Sequence, residues 1–268
     1  MKAASFEYSR PRSVAEACGL LAAGEELAKP MAGGQSLGPM LNLRLAQPTA
    51  VIDLGAIEGL RETRDEGDAV FLGAQVTHAA IEDKCVADPS QGLMPSVAAN
   101  IAYRAVRNRG TLGGSLAHAD PAADWVTTMR VLDAVYVIEG SRGRREIASG
   151  DFMQAAFTTV LAADDVLVGV RIAKCSTGTR FGYFKFCRKV GEFAEAIGAV
   201  LLDPARGVRR AVLGATAGSP HLVQDIEGVL SGSPASIEKE VRAAGCAEPY
   251  EFQMHAVALK RAVAQALA

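Results

Sequence analysis

Met31-Ala32-Gly33-Gly34-Gln35-Ser36-Leu37 and Thr111-Leu112-Gly113-Gly114-Ser115-Leu116 decide how this chain is read. Each holds a Gly-Gly pair with a serine close behind. The second runs directly into Ala117-His118-Ala119-Asp120-Pro121-Ala122-Ala123-Asp124-Trp125. Paired glycines allow φ > 0 and let a ligand approach the backbone, because no Cβ intervenes. Successive free N–H groups in such a turn form a concave nest for phosphate oxygens. One nest holds one phosphate. Two facing nests suit a pyrophosphate with little help from basic side chains, which implies a dinucleotide such as FAD. Taken singly, each stretch also matches an ordinary turn. Neither fits G-x-G-x-x-G, and no Gly-Lys-Ser/Thr of a P-loop follows either.

Working outward, the chain has 268 residues, 49% of them hydrophobic, and a net charge of −2. That is enough for one large or two modest domains. The charge balance gives no global field for nucleic acid or membrane, and no aromatic-basic interleaving suggests nucleic acid. No apolar run reaches the roughly 18 residues of a membrane span, and MKAASFEYSRP lacks the apolar core of a secretory leader. Cys18, Cys85, Cys175, Cys187 and Cys246 are scattered without a C-x-x-C pair. They read as reduced cytoplasmic thiols, not as iron–sulphur ligands. His78, His118, His221 and His255 never fall at ligand spacing with each other or with a cysteine, so no metal site is expected in this chain. A packing role is expected for His78 and a loop-shaping role for His118. No nucleophile triad is visible, and no catalytic residue is assigned.

Ser13 opens a capping box before a helix through Leu20 and Leu21, ended by Gly24. Short strands are expected at 29–32, 50–54 and 70–74, and Thr77 as the cap of a helix through Ile81. The spacing of Val97, Ile101 and Ala105 predicts one helix over 93–106. Asp120 is expected to cap a further helix that starts at Pro121. Strands follow within 131–138 and at 165–172, with Asp164-Asp165 as a loop before the latter. The polar stretch 174–179 marks a domain boundary. Beyond it, 181–186 and 211–215 read as strands, and 222–230, 236–244 and 252–267 as helices, which predicts a sheet covered on one side.

AGGQSLGPMLNLRLAQPTAVIDL (32–54) and VRNRGTLGGSLAHADPAADW (106–125) resemble the two FAD-binding signatures of the medium, flavin-carrying subunit of molybdenum hydroxylases, the carbon monoxide dehydrogenase and xanthine dehydrogenase family. LGAQVTHAAIED (72–83), DFMQAAFTTVLAADDVLVGVRI (151–172), FGYFKFCRKVGEFA (181–194) and RRAVLGATAGSP (209–220) are similar to family segments in the same order. The resemblance implies an α+β fold with α/β elements. A two-part FAD-binding domain over 1–175 (roughly 1–55 and 56–175) would precede a C-terminal α+β domain over 179–268 with a small antiparallel sheet and helices.

It also implies the cofactor site. Pro30, Met31, Ala32, Gly33, Gly34, Gln35, Ser36 and Leu37 would form one phosphate loop. Thr111, Gly113, Gly114 and Ser115 would form the other. Asp124 would accept from a ribose hydroxyl on the flavin side, and Asp120 is a cap or a lesser contact. Ile101 and Leu167 would pack on the cofactor. Lys185 would look toward the flavin, where a cation stabilises negative charge. Phe193 would lie against the isoalloxazine. Two departures stand out: Glu192 replaces a common Asp, and Phe193 replaces a common Tyr, losing a phenol hydrogen bond.

The division of labour implied is electron transfer. Iron–sulphur clusters in a small subunit and molybdopterin in a large subunit would serve this chain's FAD, in a dimer of heterotrimers. Two alternatives stay open on the residues alone. One is a self-sufficient FAD oxidoreductase of the same fold. The other is a non-catalytic α/β module in which the glycines are plain turns.

Overall fold

A computed structural model describes residues 2–24 and 27–268. The N-terminal part begins with a small parallel sheet in the order β1-β3-β2, built from β1 (Glu7–Ser9), β2 (Ala28–Met31) and β3 (Ala50–Asp53). Helix α1 (Val14–Ala23) starts at Ser13, whose hydroxyl accepts from the Glu16 N–H, and ends at Gly24. Helix α2 (Leu37–Asn42) follows the first glycine stretch.

A second, antiparallel sheet runs β4-β5-β10-β6-β7, from β4 (Thr63–Asp65), β5 (Ala69–Gly73), β6 (Val135–Gly140), β7 (Gly143–Ala148) and β10 (Val166–Ala173). Its pleat separates two cores, since alternate side chains point to opposite faces. Phe71, Val137, Val166 and Val168 pack with Ala17, Leu21 and Ile52 of the small sheet and α1. Val70, Leu72, Tyr136, Ile138, Leu167, Val170 and Ile172 enter the other, larger core. Short strands β8 (Met153–Ala155) and β9 (Thr158–Thr159) form a separate pair.

Helices that line that larger core are α3 (His78–Glu82), α4 (Leu93–Ala99), α6 (Leu112–His118), α7 (Asp124–Leu132) and the short α8 (Ser149–Phe152). Helix α7 is buried on nearly every side, because a third sheet lies beyond it. That sheet has the order β11-β12-β13-β14, from β11 (Arg180–Phe186), β12 (Ala196–Asp203), β13 (Val208–Gly214) and β14 (His221–Leu222). Ala199, Leu201 and Val212 face α7. Val200, Leu202, Ala211 and Leu213 face α9 (Ile226–Leu230), α10 (Pro234–Ala243) and α11 (Pro249–Leu267).

Several expectations need correction. The C-terminal sheet is covered on both faces, not one; its own helices cover one and α7 the other. Helix 222–230 is shorter, because His221 and Leu222 pair with β13. The helix over 93–106 is broken: α4 ends at Ala99, Ala102 turns at φ 45°, and α5 spans only Arg104–Arg107. Arg107 satisfies the carbonyls of Ile101 and Ala102 at 2.9 Å each and pairs with Glu82. Arg107 thus braces the turn that follows α4, and Arg104 pairs with Glu82 and Asp83. The helix expected from Pro121 starts at Asp124, with Ala123 as cap residue. Asp120 instead closes a turn, its Oδ1 accepting from the Ala122 N–H at 2.9 Å.

Candidate functional site

The first glycine stretch leaves β2 and enters α2. Gly34 sits at φ 71°, in the left-handed region that favours glycine. Gly38 N–H closes back on the Gly34 carbonyl at 3.0 Å. Among the described residues, the backbone N–H groups of Gly33, Gly34, Gln35, Ser36 and Leu37 donate to no protein acceptor. Five consecutive free donors at a left-handed turn, running into a helix start, are an arrangement that suits an anion. Gln35 Nε2 donates to the Gly33 carbonyl and stiffens it.

The second stretch is different: its two glycine N–H groups are taken within the protein. Thr111 is the cap of α6, and the glycines lie in its first turn. Leu112 N–H donates to Val76 O, Gly113 N–H to Ala74 O, and Gly114 N–H to Thr111 Oγ1 at 3.0 Å. Ser115 N–H donates to Thr111 O at 3.0 Å, so the backbone donors of 112–115 are taken, while among the described residues Thr111 N–H and the Ser115 hydroxyl have no protein acceptor. These glycines serve close packing. A Cβ on Gly113 would collide with Ala74, and one on Gly114 would lie 2.7 Å from Thr111 Oγ1 and 3.1 Å from Ala32 Cβ. The two stretches nevertheless face each other, since a Cβ on Gly33 would collide with the Arg109 carbonyl oxygen. The cradle is therefore one nest backed by a capped helix.

His78 lies beneath it. Trp125 Nε1–H donates to His78 Nδ1 at 3.0 Å, and indole only donates, so the imidazole proton rests on Nε2. Burial, with a smaller push from Arg107, brings His78 down to about 4. It is a neutral packing residue, as expected. His118 ends α6 with its ring 5.2 Å from Phe157.

Beyond α6 the chain reaches Asp124, 5% exposed at the start of α7. Its carboxylate is held at both oxygens. Tyr183 OH donates to Oδ1 at 2.8 Å, and Lys185 Nζ donates to Oδ2 at 2.8 Å. Tyr183 and Lys185 are two residues apart on β11 and share a face. Phe184 between them packs toward α11 instead. Burial raises the Asp124 carboxyl above the usual range, against the pull of Lys185 and Tyr183. Burial, then the Asp124 charge, drives the Tyr183 phenol well upward.

Lys185 Nζ also lies 3.4 Å from the Asn100 carbonyl. Next to Asn100, Ile101 forms a parallel bridge with Gly191. Ala194 N–H reaches the Ala122 carbonyl. Ile101, Asp120, Asp124, Lys185 and Phe193 are thus brought to one place, although they come from both sides of 174–179. Phe193 is 63% exposed, and Tyr103 is 69% exposed. Each stands two residues past the Ile101–Gly191 bridge. Leu167 is buried in the core shared with Leu112 and Leu116 of α6.

Pro30 and Met31 end β2, ahead of the nest. The sequence reading missed Tyr183 and Asn100. The period-two pattern of β11, which puts Tyr183 beside Lys185, was the available signal for the first.

Known proteins bear on this geometry. Residues 4–174 match the model of the FAD binding domain in molybdopterin dehydrogenase. The nicotine 6-hydroxylase medium subunit of Paenarthrobacter nicotinovorans is 40% identical over 243 residues, 89% of this chain and 84% of that protein. The carbon monoxide dehydrogenase medium chain of Afipia carboxidovorans is 34% identical over 98% of this chain and 97% of its own length. The solved structure of carbon monoxide dehydrogenase from Hydrogenophaga pseudoflava superimposes with a TM-score of 0.91 at 33% identity, covering 100% of this chain and 99% of that one.

Proposed function

The chain belongs to the family of FAD-binding medium subunits of molybdenum hydroxylases, and from that premise we propose that it passes electrons from iron–sulphur clusters of a partner subunit to an external acceptor. It is the flavin part of an oxidoreductase, and FAD is its cofactor. The residues fit that group: a nest of five free N–H groups lies at one end of α6, and a buried carboxylate–ammonium pair follows its other end. Helix α6, seven residues long and so about 10 Å, runs from beside the nest to the turn that leads into Asp124. The run of free N–H groups at Gly33 to Leu37 is the observation that carries the reading.

FAD, when bound, exchanges electrons singly or in pairs and so links one-electron clusters to an outside acceptor. The chain's own residues do the rest. Gly33 to Leu37 bind pyrophosphate oxygens through the backbone. Ser115 presents a hydroxyl beside them. Asp124 accepts from a flavin-side hydroxyl, and Lys185 supplies positive charge near the ring. Ile101 and Leu167 pack against the cofactor, and Phe193 covers the ring from solvent.

Substrate chemistry lies elsewhere on this reading. The relatives are named for nicotine and for carbon monoxide, so one kind of flavin subunit serves unlike substrates. The partners would be a small iron–sulphur subunit and a large molybdopterin subunit, in a cytoplasmic dimer of heterotrimers. Among the described residues, no helix is long and apolar enough to cross a membrane.

Size-exclusion chromatography of the native protein tests this, with flavin analysis after denaturation. We expect co-elution with iron and molybdenum subunits and release of free FAD. A lone monomer that turns over its own substrate would establish the self-sufficient alternative instead.

A further inference from the structure

We infer that Tyr183 is a positioning residue of the flavin site: its hydroxyl holds the Asp124 carboxylate, and so sets how much positive charge Lys185 presents to the flavin. The inference rests on the reading of Lys185 given above. Tyr183 itself has no place in that reading.

The geometry is specific. Asp124 has one oxygen bonded to Tyr183 and the other to Lys185, each at 2.8 Å. Both partners project from one face of β11, two residues apart, so the carboxylate sits between two prongs of one strand. The acceptor end is fixed as well, because Asp124 begins α7 and its carbonyl receives the Thr128 hydroxyl at 2.8 Å. The Asp124 and Lys185 side chains are 5% and 7% exposed, so water does not compete for them. Among the described residues, Tyr183 is the side chain that donates to Asp124 Oδ1.

Hydrogen bonds to a charged acceptor are strong and draw its charge toward the donor. The phenol and the ammonium therefore share one carboxylate. A weaker phenol contact leaves more of the negative charge to Lys185. The ammonium is then more fully neutralised and less able to stabilise electrons on the neighbouring ring. A stronger phenol donor has the opposite effect. A tyrosine that merely filled space would alter stability and leave the flavin's electronic state untouched.

The test is spectroelectrochemical titration of the full chain loaded with FAD. Lys185→Met and Tyr183→Phe are both expected to lower the midpoint potential, Lys185→Met by more. Site-specific 3-fluorotyrosine at position 183 keeps the phenol and makes it a better donor. It is expected to raise the potential, and it decides the matter if Tyr183→Phe fails to fold or load. If Lys185→Met lowers the potential while neither change at 183 moves it as stated, the role of Tyr183 is overturned and Lys185 stands. If Lys185→Met leaves the potential unchanged, the reading of Lys185 falls and this inference falls with it.

Discussion

Lys185 of β11 and Asp124 of α7 form a buried ion pair, Nζ to Oδ2 at 2.8 Å, that ties the C-terminal sheet to the helix following the second glycine stretch. The pair brings together two segments 61 residues apart in the chain. It also has a consequence for stability. Removing one member of a buried pair strands the other charge, which costs about 3–5 kcal/mol, whereas an apolar replacement of both is far milder.

Asp124→Ala is therefore expected to destabilise the protein by about 3–5 kcal/mol and to lower FAD content. Lys185→Met should cost a similar amount. The double variant should cost clearly less than the sum. Urea unfolding of the four proteins in a double-mutant cycle measures the coupling. Strict additivity would mean that the two side chains do not depend on each other.

The two glycine stretches should respond differently. Gly34 has open space around it, the nearest atom being Met31 Sδ at 3.5 Å, but its φ of 71° excludes a β-branched residue. Gly34→Val should distort the nest and abolish FAD binding, with the core unaffected. Gly114→Val should push Thr111 and Ala32 apart, so it loses FAD and also costs about 1–3 kcal/mol of stability by overpacking. FAD per chain and thermal unfolding separate the two. Full FAD content in Gly34→Val would refute the nest.

His78 gives the protein a pH dependence with a definite sign. Its folded value, about 4, lies below the ordinary 6.5. Between those values the unfolded chain binds a proton that the folded chain does not, so stability rises with pH across that window. His78 imposes no penalty above about pH 6.5 and a growing one as pH falls toward 4, approaching about 3 kcal/mol. His78→Gln keeps an acceptor for Trp125 and does not titrate. It should flatten the dependence between pH 7 and 5, as read from urea midpoints. An unchanged slope would assign the acid sensitivity to other groups.

The sequence carried the fold well where one element met one core. Ser13, Gly24 and Thr77 mark helix ends by local chemistry, and the structure uses all three. It carried less where tertiary contacts overrode local pattern. Ala196–Asp203 is buried on both faces, so it shows no alternation that would mark it as a strand. The apolar spacing of 93–106 looked helical because Ile101 and Ala105 fall on one stripe. Yet Arg107 reaches across to Glu82 and stabilises a left-handed Ala102 between them. The second glycine pair looked like a nest because sequence shows glycines but not whether their N–H groups are taken. Lys185 was legible only through resemblance, since a lysine on a strand ordinarily faces water and its partner Asp124 lies far away in the chain.

Phe193 offers the sharpest check on whether the C-terminal segment covers the flavin. It is 63% exposed, beside the 69% exposed Tyr103, and the Ile101–Gly191 bridge fixes both near Asn100 and Lys185. Phe193 and Tyr103 each follow the Ile101–Gly191 bridge by two residues, and exposed apolar residues gathered in one patch, unlike a single one, mark a ligand or partner site. If Phe193 lies on the flavin, Phe193→Ala opens the ring to solvent. Stopped-flow mixing of reduced protein with dioxygen should then show reoxidation several-fold faster than wild type. Tyr250→Ala, which removes an equally exposed aromatic from α11, should leave the rate unchanged. Phe193→Tyr should retain the slow rate, because it keeps the ring and adds only a hydroxyl. A wild-type rate in Phe193→Ala would detach residue 193 from the flavin and confine the site to the nest, α6 and the Asp124 pair.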